Sequence, residues 1–179
     1  MSPRFSIITP VFNPPIPVLE DTIASVRAQT FDDWEWCIVD DVSTDPLVWK
    51  TLTKAARRDP RIKIQRRVDN GGISRASNDA IEMASGEFVA FLDHDDLLVR
   101  NALASMDRHI ADAGDVDFAY SDEAKLFPDG AIRDVFYKPD WSPERMRGQM
   151  YTCHFGVMRR TLVNDCLLYT SDAADDTPC

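Results

Sequence analysis

Short apolar runs alternate along the chain with stretches whose apolar positions recur every three or four residues. "FSIIT", Phe5 to Thr9, reads as a buried strand closed by Pro10 and the Asn13-Pro14-Pro15 punctuation. Leu19, Ile23 and Val26 then keep helical spacing as far as Gln29. "WEWCIVD", Trp34 to Asp40, is a second strand. Asp45 followed by Pro46 supplies an N-cap and a first helical position for a helix through Leu52 to about Arg58, which Pro60 stops. "IKIQR" is a short third strand, and "DNGG" breaks the chain before a helix holding Ala76, Ala80 and Met83. Phe88 to Leu92 is the fourth strand, followed by a helix with Leu103, Met106 and Ile110 in register and a last strand, "DFAYS".

Strands that are continuously apolar, joined through helices by short connections, predict an α/β fold: a Rossmann-like, mostly parallel sheet flanked by helices. Ligands of such sheets sit beyond the carboxyl ends of the strands. Thr9, Asp40 with Asp41, and Asp93 with Asp95 all fall at those ends, so one sheet would gather them into a single crevice.

At 179 residues the chain suits one full-sized domain. Its net charge of −10 argues against nucleic acid, or an anionic membrane surface, as the main partner. No run approaches the roughly 18 apolar residues that span a bilayer, and the N-terminus turns to proline before an export segment could develop, so the expected location is the cytoplasm. Cys37 lies in a strand pattern, Cys153 stands alone, and Cys166 and Cys179 fall near the end; none has metal-ligand spacing, and reduced thiols are expected.

"CLLYTSDAADDTPC", residues 166–179, has neither helical period nor strand alternation. Cys166 to Asp175 resembles one reading frame of a transposase-type sequencing adapter, so residues 166–179 are expected to be a non-native tail behind a domain of residues 1–165. The ordinary alternative is a natural disordered C-terminus. Taking the tail's three aspartates from the net charge leaves −7, still acidic.

The chemistry concentrates in "GEFVAFLDHDDLL". Asp93 and Asp95, at alternate positions of an extended segment, reach one point, and grouped carboxylates call for a cation; hard oxygen ligands select Mg2+ or Mn2+. The ordinary alternative makes these acids caps and dipole partners for the helix near Asn101, a role that suits Asp96 best. His94 is expected to be satisfied locally. Asp40 and Asp41 either accept hydrogen bonds from a base or ribose or start the Ser43-Thr44-Asp45 turn. "NGGISRASNDA" suits close phosphate approach without being a Walker motif, and Arg75 pairs with a diphosphate or is a solvated helix residue.

"SIITPVFN", "SVRAQTFDDWEWCIVDDVSTD", "NGGISRASNDAIEMASGEFVAFLDHDDLL" and "YSDEAKLFPDG…YKPDWSPE", in that order, resemble the family 2 glycosyltransferases of bacterial surface-polysaccharide assembly, over about Phe5 to Asp165. The resemblance implies the GT-A-type nucleotide-diphospho-sugar transferase fold, with an acceptor-binding half after the aspartate motif. It implies that Thr9 and Pro10 line the nucleotide pocket, that Asp41 bonds the base with Asp40 beside it, and that Arg75 and Asn78 flank the ribose and diphosphate. Asp93 and Asp95 become the Asp-x-Asp motif that holds Mn2+ or Mg2+, Asp95 more directly and Asp93 nearer the ribose. Asp122 and Glu123 fall on the sugar or acceptor side.

The implied reaction is an inverting, metal-dependent transfer from a nucleotide diphospho-sugar to a glycan or lipid-linked acceptor, with no nucleic-acid partner. Lipid-linked acceptors leave room for peripheral association with the inner face of the membrane, for which no residue speaks. The family's base lies in an acidic motif beyond the recognisable sequence, so no catalytic residue is assigned, the acceptor side is expected to be incomplete, and transfer by this chain is expected to be poor. Two alternatives stay open: a non-catalytic nucleotide-sugar-binding module, and a haloacid-dehalogenase-type phosphohydrolase suggested by "VAFLDHDDLL". A dinucleotide oxidoreductase is disfavoured because "TPVFNPP" lacks the Gly-x-Gly-x-x-Gly turn.

Overall fold

The computed structural model describes residues 2–166; of the adapter-like stretch, only Cys166 falls within them and 167–179 lie outside. β1 (Phe5–Val11), α1 (Ile16–Arg27), β2 (Trp34–Asp40), α2 (Pro46–Arg58), β3 (Ile62–Arg66), α3 (Gly72–Glu82), β4 (Phe88–Phe91), α4 (Ala102–Ala113) and β5 (Phe118–Tyr120) follow the order predicted from the apolar pattern. Beyond them come β6 (Glu123–Leu126), β7 (Ile132–Phe136), α5 (Pro143–Met146), β8 (Gly156–Arg159) and α6 (Arg160–Cys166), none of which the pattern announced.

The main sheet runs β3-β2-β1-β4-β8-β5, and β6 pairs with β7 as a separate hairpin. β3, β2, β1 and β4 are parallel neighbours, whereas β8 is antiparallel to both β4 and β5. The architecture is therefore the mostly parallel, helix-flanked sheet that was expected, with one reversed strand inserted late in sequence.

Alternation of side chains divides the core between the two faces of the sheet. Phe5, Ile7, Trp36, Ile38, Phe88 and Ala90 pack with Leu19, Leu52 and Leu103 from α1, α2 and α4. Ile8, Cys37, Val39 and Val89 pack on the other face with Ala76, Ala80 and Val163 from α3 and α6. With both faces covered, the strands have no reason to alternate apolar and polar residues. Burial pushes the Cys37 thiol up to about 12, which suits an inert core residue.

Register levels the strand ends: Val11 lies opposite Asp40, and Ile8 opposite Phe91. Backbone bonds extend the ladder past the formal ends, from Asp41 N to Val11 O (2.8 Å) and from Leu92 N to Ile8 O (3.1 Å). Asp41, Pro10 and Asp93 are thereby brought to one edge of the sheet.

Far from that edge, Glu35 is buried in β2 with its carboxylate accepting from Ser6 Oγ (2.6 Å) and Ser85 N (2.6 Å), and Lys63 Nζ stands 2.5 Å away. Burial alone would raise its pKa, but Lys63, Ser6 and Ser85 outweigh that and hold the carboxyl below its usual range. A folded-state pKa below the unfolded one gives stability that is present above the unfolded pKa and lost as pH falls through the folded value. Glu35→Gln is expected to lower unfolding free energy at neutral pH by about 1–3 kcal/mol. Urea melts at pH 7 and at successively lower pH should show the gap between variant and parent closing towards acid; a constant gap contradicts the assignment.

Candidate functional site

Beyond the ends of β1, β2 and β4 opens a cleft of about 420 Å³ lined by Pro10, Val11, Phe12, Asp41, Asn70, Gly72, Ile73, Ala76, Asp93, His94 and Asp95. Residues far apart in sequence share one wall because the parallel strands end level there.

Thr9 does not border this cleft. It is fully buried, its hydroxyl donating to Leu92 O (2.8 Å) and accepting from Trp36 Nε1 (2.8 Å), and it fixes the strand ends instead of offering a ligand contact. Asp40 is buried as well: Oδ1 accepts from Ser43 N (3.0 Å), while Oδ2 lies 3.1 Å from Arg66 Nε as an ion pair without hydrogen-bond geometry. Of the two readings of Asp40, the turn-forming one describes what its side chain does here.

Asp41 organises the second wall. Its Oδ1 accepts from Gly71 N (2.9 Å) and its Oδ2 from Gly72 N (2.8 Å), with Arg67 Nε 3.1 Å from Oδ1. Arg67 also pairs with Asp79 on α3, so one guanidinium joins the tip of β2 to the glycine turn and its helix. Gly72 holds φ +78°, the left-handed region that a Cβ makes costly. The same carboxylate therefore borders the cleft and shapes its rim. Arg75 is exposed beside Gly71, and neither Arg75 nor Asn78 borders the cleft.

At the tip of β4 the chain does not stay extended. Asp96 N donates to Asp93 O (3.3 Å), closing a turn. Asp93 and Asp95 both line the cleft, as alternate positions predict, and the turn in addition sets Asp93 beside Asp96. Asp96 is not the cap of α4, a position held by Asn101. His94 contacts Pro10 O through Nδ1 (3.2 Å), the local satisfaction expected of it.

Ligand atoms of Asp93, Asp96 and His154 lie within 4.8 Å of one another. Asp96 Oδ2 is buried with no hydrogen-bond partner. Burial pushes the Asp96 carboxyl above the usual range; His154 pulls it down, and Asp93, Asp95 and Glu123 add to the rise. Two carboxylates and an imidazole around an orphaned oxygen are a donor set that fits a divalent cation.

Glu123 turns towards Lys138, whose ammonium is almost wholly buried 3.1 Å from Oε2 and also bonds the carbonyl of Cys153. Asp122 Oδ1 accepts from Lys138 N (2.8 Å). Asp122 thus closes the base of the β6–β7 hairpin, while Glu123 pairs with the lysine that ties it to the segment before β8. Arg67, Lys138 and His154 went unnoticed in the sequence because only the strand pairing reveals what they face.

A family model described as "Glycosyl transferase family 2" matches residues 6–167. The O-antigen biosynthesis protein RfbC of Myxococcus xanthus is 37% identical over 158 residues, which are 88% of this chain and 12% of RfbC. The UDP-Glc:alpha-D-GlcNAc-diphosphoundecaprenol beta-1,3-glucosyltransferase WfgD of Escherichia coli is 39% identical over 98 residues, 55% of this chain and 37% of WfgD. Among solved structures, residues 1–349 of S. aureus TarS in complex with UDP superpose with a TM-score of 0.73 at 24% identity, covering 90% of this chain and 48% of that one. The mannosyltransferase PcManGT of Pyrobaculum calidifontis, in complex with GDP-Man and Mn2+, gives 0.71 at 19%, covering 96% and 49%. These two likenesses establish the fold, and the chain spans about half the length of either structure.

Replacing Asp41 by Ala removes the acceptor of two glycine amides and, among the described residues, leaves Asp79 as the one carboxylate paired with Arg67. An unfolding free energy lower by about 1–3 kcal/mol is expected, with faster amide hydrogen exchange at Gly71 and Gly72. Unchanged exchange at both glycines would show that the turn holds itself.

Proposed function

The chain belongs to the family 2 glycosyl transferases, and from that premise we propose that its cleft binds a nucleotide diphospho-sugar for transfer to a glycan or lipid-linked acceptor in surface-polysaccharide synthesis. The observation that carries this reading is the meeting of Asp41, the Gly71-Gly72 turn and Asp93 around one cleft at the ends of parallel strands. The nucleoside lies between Pro10, Phe12 and Ile73, with Asp41 and Asn70 offering polar atoms to base and ribose. The diphosphate runs towards the acidic tip of β4.

Two negative groups, a diphosphate and the β4 carboxylates, cannot share that tip without a cation. Asp93 and Asp95, just past the end of β4, would hold Mn2+ or Mg2+, which would neutralise both and would supply Lewis-acid stabilisation of the leaving diphosphate. Transfer is inverting: the acceptor hydroxyl oxygen bonds to the anomeric carbon on the face opposite the diphosphate, the carbon–oxygen bond to the diphosphate breaks with its electrons, and the hydroxyl proton passes to a carboxylate base. No residue among those described is assigned as that base, so donor binding is the property to test first. The family match leaves no ground for the phosphohydrolase reading.

Thermal unfolding with UDP- and GDP-sugars, with and without Mn2+, is expected to show a melting temperature raised by at least one activated sugar, more so with Mn2+. Phe12→Ala should weaken that stabilisation by about 1–2 kcal/mol through lost contact with the nucleoside. Stabilisation by no nucleotide diphospho-sugar, with or without metal, would overturn the reading.

The acceptor side raises the matter of a membrane. No described helix is long and apolar enough to cross one. On α2, however, Lys50, Lys54, Arg57 and Arg58 surround Trp49 and Thr53 in a shallow exposed hollow, and no acidic partner pairs with these four among the described residues. Although the net charge of −10 opposes an anionic surface as main partner, this face locally favours peripheral docking on anionic lipid, each cation contributing about 1 kcal/mol near the surface. Vesicles containing phosphatidylglycerol are expected to sediment the protein at low salt, and K50E/K54E to abolish this. Equal binding to neutral vesicles would contradict it.

A further inference from the structure

Phe12 lines the cleft yet is 46% exposed, so burial alone does not set its place. It stands instead between two links to the loop that follows β2. On one side of it, Val11 O accepts from Asp41 N (2.8 Å), the last bond of the ladder; on the other, Asn13 N donates to Ser43 Oγ (2.9 Å). Asn13 also reaches across with its side chain, Oδ1 accepting from Thr44 N (2.8 Å) and from Thr44 Oγ1 (3.2 Å).

This cross-link requires unusual backbone in both loops. Asn13 holds φ +49° and Val42 holds φ +62°, both in the left-handed region. Asparagine tolerates that region, but a β-branched residue stays in it only where its surroundings over-determine it. They do so here. Before Val42, the Asp41 carboxylate is held by the amides of Gly71 and Gly72. After it, Ser43 is buried, its amide donating to Asp40 Oδ1 (3.0 Å) and its carbonyl accepting from Arg66 Nη2 (2.9 Å). Arg66 Nε lies 3.1 Å from Asp40 Oδ2 and closes the ring. Asp40 and Arg66 thus fix Ser43, Ser43 and Thr44 fix Asn13, and Asn13 fixes the backbone that carries Phe12.

We infer that Asn13 is a positioning residue for donor binding: backed by Ser43 and Asp40, it holds the Phe12 ring against the nucleoside while itself standing outside the cleft. Its role rests on the donor-binding reading proposed above and adds to it a set of residues that act without touching the ligand. Asp40, too enclosed to meet a ligand, gains a part in recognition through Ser43 and Asn13. The loop after β2 is tied to the glycine turn by Asp41 and to the end of β1 by Asn13, so it also sets the spacing between the two walls of the cleft.

A double-mutant cycle read by titration calorimetry, with UDP and with GDP in the presence of Mn2+, tests this. Asn13→Gly keeps access to the left-handed backbone and deletes only the side-chain bridge, so the fold is retained. It is expected to raise the dissociation constant of the nucleotide that the parent binds by about fivefold to tenfold, but by less than about twofold when Phe12→Ala is already present. Ser43→Ala, which removes the acceptor of the Asn13 amide from the opposite loop, should behave in the same way. A residue that merely supported the fold would give equal effects in both backgrounds.

Hydrogen exchange in the ligand-free protein checks the bridge itself: Asn13→Gly should speed exchange at the Thr44 amide, and Ser43→Ala at the Asn13 amide. Unaltered affinity in Asn13→Gly, equal losses with and without the Phe12 ring, or unaltered exchange at Thr44 each overturn the inference and leave donor binding standing. A parent protein that binds neither UDP nor GDP overturns the donor-binding reading and the role of Asn13 with it, even where exchange shows the bridge to be formed.

Discussion

The Thr9 hydroxyl donates to the Leu92 carbonyl while accepting the Trp36 indole N–H, which ties β4 and β2 to the end of the strand between them. A buried hydroxyl with donor and acceptor both engaged is worth keeping in a core, whereas the same group with one partner missing would cost about 1–3 kcal/mol. Because the tie lies just short of the strand ends, it sets how far each chain runs before leaving the sheet. The places of Asp41 and Asp93 relative to one another follow from it.

The acids at that end divide into two electrostatic classes. Asp40 and Asp41 are compensated inside the fold, by Arg66 and the Ser43 amide in one case and by Arg67 and two glycine amides in the other. Their charge is consumed in shaping loops. Among the described residues, Asp93 and Asp96 have no Lys or Arg partner and face only His154, which carries charge only when protonated. Repulsion is therefore left over at the tip of β4, where a cation would remove it, and the same excess repels a diphosphate in the cation's absence.

Much of this was legible in the residues. Continuously apolar strands such as "SIIT" and "CIV" announced a sheet buried on both faces, and Asp45-Pro46 marked the start of α2, where the Asp45 side chain does accept from Leu47 N (2.8 Å). The crevice followed from the rule about strand ends. The step from spacing to direction held in part: Asp93 and Asp95 both line the cleft, but the turn closed by Asp96 N onto Asp93 O also brings Asp96 beside Asp93, which an extended backbone would not do. Thr9 was misjudged for a related reason, since a polar residue at a strand tip can face the neighbouring strand as readily as the ligand. The late elements were illegible because "GVMR" is too short to show a period, and its place between β4 and β5 depends on pairing that no local signal encodes.

That reversed strand has a consequence for the whole arrangement. Parallel strands all enter from one edge of the sheet and leave at the other, so each brings only its last residues to the cleft. A strand running the opposite way brings its first. β8 begins where β4 ends, and the residues leading into it, anchored by Tyr151 and Phe155, arrive beside the β4 carboxylates without a long loop. An all-parallel sheet would need an excursion from a crossover connection to place a side chain there, at a greater cost in ordered backbone. Inserting one antiparallel strand beside the aspartate-bearing one is thus the economical way for a doubly covered sheet to surround a charged point from both of its sides.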